Sequence, residues 1–176
     1  MKPLLILIYI VSLSLLTTVS VAQQSYLGGG AIISTALSEK TNPRLGIFWQ
    51  FERTLNPQNS IIINSGQPQF KSKIYGLMAV SDIKAGWRYL FKPGKVYAGL
   101  NAGIAIESSL ARWYGNDLRV HPMLEINSGY LIPFKNDRID IGISYDIFFY
   151  KYQNFSWLQL NMGYHFLLPH RKKKKD

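Results

Sequence analysis

The groups in this chain that could do chemistry include its three histidines, its ten carboxylates and its hydroxyl groups; its 176 residues include no cysteine. That absence excludes a thiol nucleophile, a disulfide scaffold, cysteine-based zinc sites and anchoring through a lipidated N-terminal cysteine. The histidines are His121, His165 and His170. His121 and Glu125 stand four residues apart, which on an extended strand puts both on one face, as two metal ligands would need. No third ligand accompanies them, so no metal is expected. Gly28-Gly29-Gly30 lacks the strand-to-helix context of a phosphate loop, and no cofactor is expected. Asn154-Phe155-Ser156 matches a glycosylation sequon, a pattern frequent by chance. What remains is a set of charges at alternating positions: Arg44, Glu52, Asp82, Lys84, Arg88, Glu107, Arg119, Glu125, Asp140 and Asp146. Their chemistry would be mutual neutralisation, since an unpaired buried charge costs several kcal/mol.

The elements that carry these charges have a strand period throughout. Ile83, Ala85, Trp87, Tyr89 and Phe91 fall on one face, and Asp82, Lys84, Gly86 and Arg88 on the other. Lys92-Pro93-Gly94-Lys95 is a tight turn. Val96, Ala98, Leu100, Ala102, Ile104 and Ile106 then oppose Tyr97, Gly99, Asn101, Gly103 and Glu107, completing a long hairpin. The rhythm repeats from Arg119 to Ile132, with Pro122 as an irregularity, from Ile139 to Phe149 and from Leu158 to Phe166. Arg44–Thr54 alternates well, and Tyr26–Ser38 does so despite a glycine run that weakens register. Ser60–Val80 must hold one strand and a loop around Gly66–Gln69. The total is about eight strands joined as hairpins.

The two ends differ from this body. Met1–Ala22 has a positive start at Lys2, an apolar run over Leu4–Leu16 and small residues up to Ala22, the pattern of a cleaved secretory signal peptide. The run is shorter than the ~20 residues of a spanning helix. Residues 23–168 form the barrel domain. Residues 169–176 end in Arg171-Lys172-Lys173-Lys174-Lys175, a basic tail expected to be disordered because like charges repel and bury nothing. The net charge of +10 is therefore no nucleic-acid footprint: part lies in the tail and the signal, and the body charges are mixed in sign.

Alternation does not say which face is inside. Three features point to an apolar face turned to lipid. Gly46, Gly86, Gly99, Gly103, Gly129, Gly142 and Gly163 all lie on the polar face, where a crowded eight-stranded interior needs small residues. The polar face mixes both charge signs, as a paired lumen would. With the N-terminus periplasmic, the turns Asn56–Asn59, Lys92–Lys95 and Lys135–Arg138 share one side, and Ser108–Leu118, the longest clear loop, lies outside. Trp49, Trp87, Tyr89, Tyr130 and Tyr164 suit interfacial girdles.

On Lys84-Ala85-Gly86-Trp87-Arg88-Tyr89, Val96-Tyr97-Ala98-Gly99-Leu100-Asn101-Ala102-Gly103 and Leu160-Asn161-Met162-Gly163-Tyr164-His165-Phe166, the chain resembles the small outer-membrane β-barrel proteins of Gram-negative bacteria, particularly the outer membrane protein beta-barrel domain type of Bacteroidota. The resemblance implies insertion by the barrel-assembly machinery, which reads a terminal aromatic. Here Phe166 is followed by ten further residues. Barrels resembling the lipid A deacylases use a histidine with a serine two positions on, together with a carboxylate. The residues two beyond the histidines here are Met123, Leu167 and Lys172. A palmitoyl-transferring barrel would need a histidine near Ser81-Asp82, and none is placed there.

The expectation is an all-β fold: a closed, antiparallel, up-and-down transmembrane barrel of about eight strands, in the cell outer membrane of a Gram-negative bacterium. It is expected to be monomeric and non-enzymatic, with a side-chain-filled lumen and a structural, adhesive or binding role in its outer loops. Those are Glu39–Pro43, Gly66–Gln69, Ser108–Leu118 and Lys151–Asn154, with Arg112, Trp113 and Tyr114 the best contacts. Outer-membrane lipid is an expected partner, an anionic periplasmic partner is expected for the tail, and nucleic acid is not. The alternatives are a secreted, soluble, lipocalin-like carrier of an apolar ligand and, less favoured, a lipid-modifying outer-membrane enzyme.

Overall fold

The computed structural model describes residues 24–37, 42–72, 76–91, 95–109, 119–149 and 154–169. The signal-peptide assignment, the basic tail and Arg112, Trp113 and Tyr114 lie outside them. The described residues form the strands β1 (Ser25–Ala36), β2 (Asn42–Asn56), β3 (Asn59–Gln67), β4 (Gln69–Ser72), β5 (Gly76–Leu90), β6 (Val96–Ser109), β7 (Arg119–Phe134), β8 (Asp137–Phe148) and β9 (Phe155–Leu167). Apart from β3 and β4, which do not pair with each other, each strand pairs antiparallel with its chain neighbours, and β1 closes the sheet by pairing with both β2 and β9. Closure leaves no edge, the condition for a sheet to stand in lipid without orphaned backbone groups.

β4 continues β3, since both strands lie between β2 and β5, so nine strands build an eight-stranded barrel. The expected outer loop at Gly66–Gln69 is therefore a strand interrupted at one residue. Proline has no N–H to give the ladder, and at Pro68 the β2 register steps from Ile47↔Gln67 to Pro43↔Phe70. The carbonyl of Pro68 still accepts the Val80 N–H at 3.1 Å, which holds the interruption against β5.

The two-residue turn between β7 and β8 is shorter than the Lys135–Arg138 turn expected. Phe134 pairs with Asp137, leaving Lys135 and Asn136 in the turn and Arg138 inside β8. The glycine run of β1 keeps one register with both neighbours, and a methyl group at Gly30 would lie 2.0 Å from the Met162 carbonyl oxygen. Gly28 and Gly30 let β1 approach β9 closely, and Gly29 does the same toward β2, so the run closes the barrel.

Candidate functional site

Inward positions carry the charges, and the barrel's curvature brings charges from different strands together. Lys84 on β5 is the hub of one network. Its ammonium pairs with Glu125 on β7, with Asp146 on β8 at 3.1 Å and with Asp82 on its own strand at 3.2 Å. Glu125 also accepts the side-chain amides of Asn101 and Asn127, both at 2.6 Å. Asp146 accepts Gln159 at 2.5 Å and Ser144 at 3.2 Å, and Asp82 accepts the Gly66 N–H at 2.7 Å. Asp146 is wholly buried, so these donors stand in for the water that each carboxylate gave up.

The second network lies nearer the short-turn end. Glu52 on β2 pairs with Arg88 on β5 at 2.9 Å and with Arg138 on β8. Arg88 also reaches Asp140 at 3.0 Å, and Asp140 accepts the Tyr97 hydroxyl at 2.7 Å. Both guanidinium planes lie over tyrosine rings, Arg88 at 3.7 Å from the Tyr97 centroid and Arg138 at 3.9 Å from that of Tyr26. A flat, weakly hydrated cation can stack in this way while its edge bonds carboxylates; an ammonium cannot do both.

Above the Lys84 network, toward the other end, the lumen is apolar. Val80, Ala105, Met123, Phe148 and Trp157 form one buried cluster, with the Phe148 and Trp157 rings edge-to-face at 3.8 Å. Between the two networks remains a cavity of about 30 Å³ bordered by Lys84, Arg88, Tyr97, Glu125 and Asp140. That is room for about two water molecules, so the interior is a packed core rather than a channel.

The outer face is the reverse of a soluble surface. Ile126 is 59% exposed and Met162 59%, while Asp146 and Glu52 are at 0%. Leu45, Ile47, Trp49, Leu100, Ile143 and Leu160 extend this apolar surface around the barrel. Ser65 and Ser128 interrupt the outward rows, and each hydroxyl donates to a strand carbonyl, Ser65 to Asp82 and Ser128 to Tyr97. At the short-turn end the outward positions become aromatic, with Trp87, Tyr89, Phe91, Tyr130, Phe134, Tyr164 and Phe166 forming a girdle. The Trp87 Nε1–H donates to Asn59 at 3.0 Å and the Tyr164 hydroxyl to Asp137 at 2.7 Å, so polar tips point to the turns and ring bodies to the apolar band.

Solved structures with this architecture exist. Neisserial surface protein A superposes with a TM-score of 0.52 at 12% identity, over 81% of this chain and 95% of that one. The N-terminal β-barrel domain of Pseudomonas aeruginosa OprF gives 0.52 at 14%, over 82% and 99%. The Yersinia pestis outer membrane protein Ail in a phospholipid nanodisc gives 0.51 at 17%, over 81% and 99%. The fold is that of the eight-stranded outer-membrane barrels. No protein-family model matches the chain, and no curated protein matches it.

Within this outer-membrane-type barrel the sequence-derived charges separate into three groups. Glu52, Asp82, Lys84, Arg88, Glu125, Asp140 and Asp146 are buried in the two networks. Arg44 has inward parity but is exposed, a correction: it lies beyond Gly46, toward the end of β2 where the register steps at Pro68, above the packed part of the lumen. Glu107 and Arg119 face each other in register between β6 and β7. Arg138, read from sequence as a turn residue, is the missing cation of the second network; parity with Asp140 and Asp146 was the available signal. His165 is buried, and His121 stacks on Phe148 at 6.4 Å. Among the described residues no group of three or more His, Asp or Glu side chains could hold a metal ion.

Proposed function

We propose that this chain is an integral, non-enzymatic barrel of a Gram-negative outer membrane that works through its outer connections, in adhesion, envelope stability or partner binding. The observation that carries the reading is the inversion of the two faces: wholly buried, paired charges inside and exposed isoleucine, leucine and tryptophan outside. Water would be a poor solvent for that outer face, because contiguous apolar surface of this extent drives association. Lipid is a good one. The solved barrels of the same fold include a neisserial surface protein and an outer membrane protein of Yersinia pestis, which supports the same location.

A soluble carrier of an apolar ligand would need a roomy apolar interior. This lumen is charged and holds a cavity of only about 30 Å³. In the proposed orientation the short turns are periplasmic, and the connections around Glu39, Ser108–Leu118 and Lys151–Asn154 are outside, with Arg112, Trp113 and Tyr114 in the longest. The basic tail then lies in the periplasm, and Phe166 is the aromatic presented to the insertion machinery.

Cell fractionation tests the reading. Extraction only by detergent, with gel mobility that changes on heating, is expected, as is protease cleavage of intact cells within Ser108–Leu118. Recovery as a freely soluble periplasmic or extracellular monomer would overturn it.

A further inference from the structure

The short-turn end carries a pattern that the barrel's closure does not require. Among the described residues, each of its three hairpins presents one exposed cation beside aromatic side chains. On the β2–β3 hairpin, Arg53 faces outward two residues past Phe51, and its cross-strand partner Ile61 is itself opposite Trp87. On the β5–β6 hairpin, Lys95 precedes Val96, which pairs with Tyr130 and accepts the Phe91 N–H. On the β7–β8 hairpin, Lys135 follows Phe134, whose ring packs edge-on against Tyr164 at 6.3 Å.

Lys135 has φ 57°, a left-handed conformation that glycine or asparagine would take with less strain. A cation therefore stands where local turn chemistry favours another residue.

We propose that this rim binds anionic phospholipid headgroups, with Arg53, Lys95 and Lys135 on the phosphates and the aromatic girdle setting their depth. The inference rests on the membrane-barrel reading above. Charge complementarity selects the occupant: cations at an interfacial girdle sit at the level of lipid phosphates, where each attracts an anionic surface.

The test uses the full chain reconstituted into nanodiscs of phosphatidylcholine and phosphatidylglycerol at physiological salt, with the lipid retained after partial detergent stripping measured by mass spectrometry. Severalfold enrichment of phosphatidylglycerol is expected, falling stepwise to no enrichment as Arg53→Gln, Lys95→Gln and Lys135→Gln are combined. Enrichment is expected to survive neutralisation of Arg44 at the opposite end, and of Arg171–Lys175 in the tail. No enrichment in the unaltered chain, or enrichment lost only with the tail or opposite-end charges, would overturn the inference. Insertion into pure phosphatidylcholine vesicles is the separate control. Failure there contradicts the barrel reading itself, whereas insertion without enrichment contradicts only the lipid site.

Discussion

Lys84 and Glu125 meet inside the barrel from β5 and β7, strands that are not neighbours in the sheet, and Asp82 and Asp146 complete a group of three carboxylates around one ammonium. The lumen is thus tied across its width as well as around its wall. Replacing the lysine should expose how much the arrangement depends on it. Lys84→Met leaves the three acids facing one another without a counter-charge and is expected to destabilise the barrel by about 3–5 kcal/mol. Lys84→Arg should lose less. Urea titration of the reconstituted protein, followed by tryptophan fluorescence, measures both.

Glu52 and Arg138 offer a different outcome, because Glu52 holds two guanidinium groups. In Glu52→Gln, Arg88 keeps Asp140 and its stack on Tyr97, while Arg138 keeps its stack on Tyr26. A double-mutant cycle of Glu52→Gln and Arg138→Gln is expected to give a coupling energy of roughly 1–3 kcal/mol. Additive losses would mean that the pair does not interact.

Packing of Phe48 against Gly163 can be tested by compensation. A methyl group at Gly163 would lie 2.6 Å from Phe48 Cζ. Gly163→Ala is expected to destabilise by about 1–3 kcal/mol through overpacking, and Phe48→Leu in the same chain should recover part of it. Equal losses in the single and double variants would contradict the contact.

The filled lumen implies an absence of steady current in planar bilayers. Two barriers lie in series, the apolar cluster around Trp157 and Phe148 and the Lys84 network beneath it. Trp157→Ala should therefore remain closed although it opens a cavity costing about 3–5 kcal/mol. Sustained conductance from the unaltered chain would contradict the packed interior.

Strand faces were legible in sequence wherever parity was uninterrupted. Ile83–Phe91 and Ile139–Phe149 orient as alternation requires, with Lys84, Arg88, Asp140 and Asp146 inward. Three features were missed. Phe48, Phe148 and Trp157 are apolar yet inward, and a reading that assigns apolar side chains to lipid has no place for them. Pro68 looked like a loop because a missing N–H resembles a break, but a single lost ladder bond interrupts a strand without ending it. Arg138 was absorbed into a four-residue turn when two residues suffice. The pairing partners were beyond reach for another reason. Lys84 meets Glu125 and Asp146 only because barrel closure and stagger set which inward positions come level.

The central claim is the inversion of faces, and two tryptophans report on it directly. Trp49 is 45% exposed on the outer face, while Trp157 is at 0% within the lumen. Chains retaining only one of them, reconstituted in vesicles with bromine on the acyl chains, should separate cleanly. Strong quenching of Trp49 and little quenching of Trp157 are expected. Quenching of Trp157 by the acyl chains, or an unquenched Trp49 in vesicle-bound protein, would contradict a barrel that turns its apolar face to lipid.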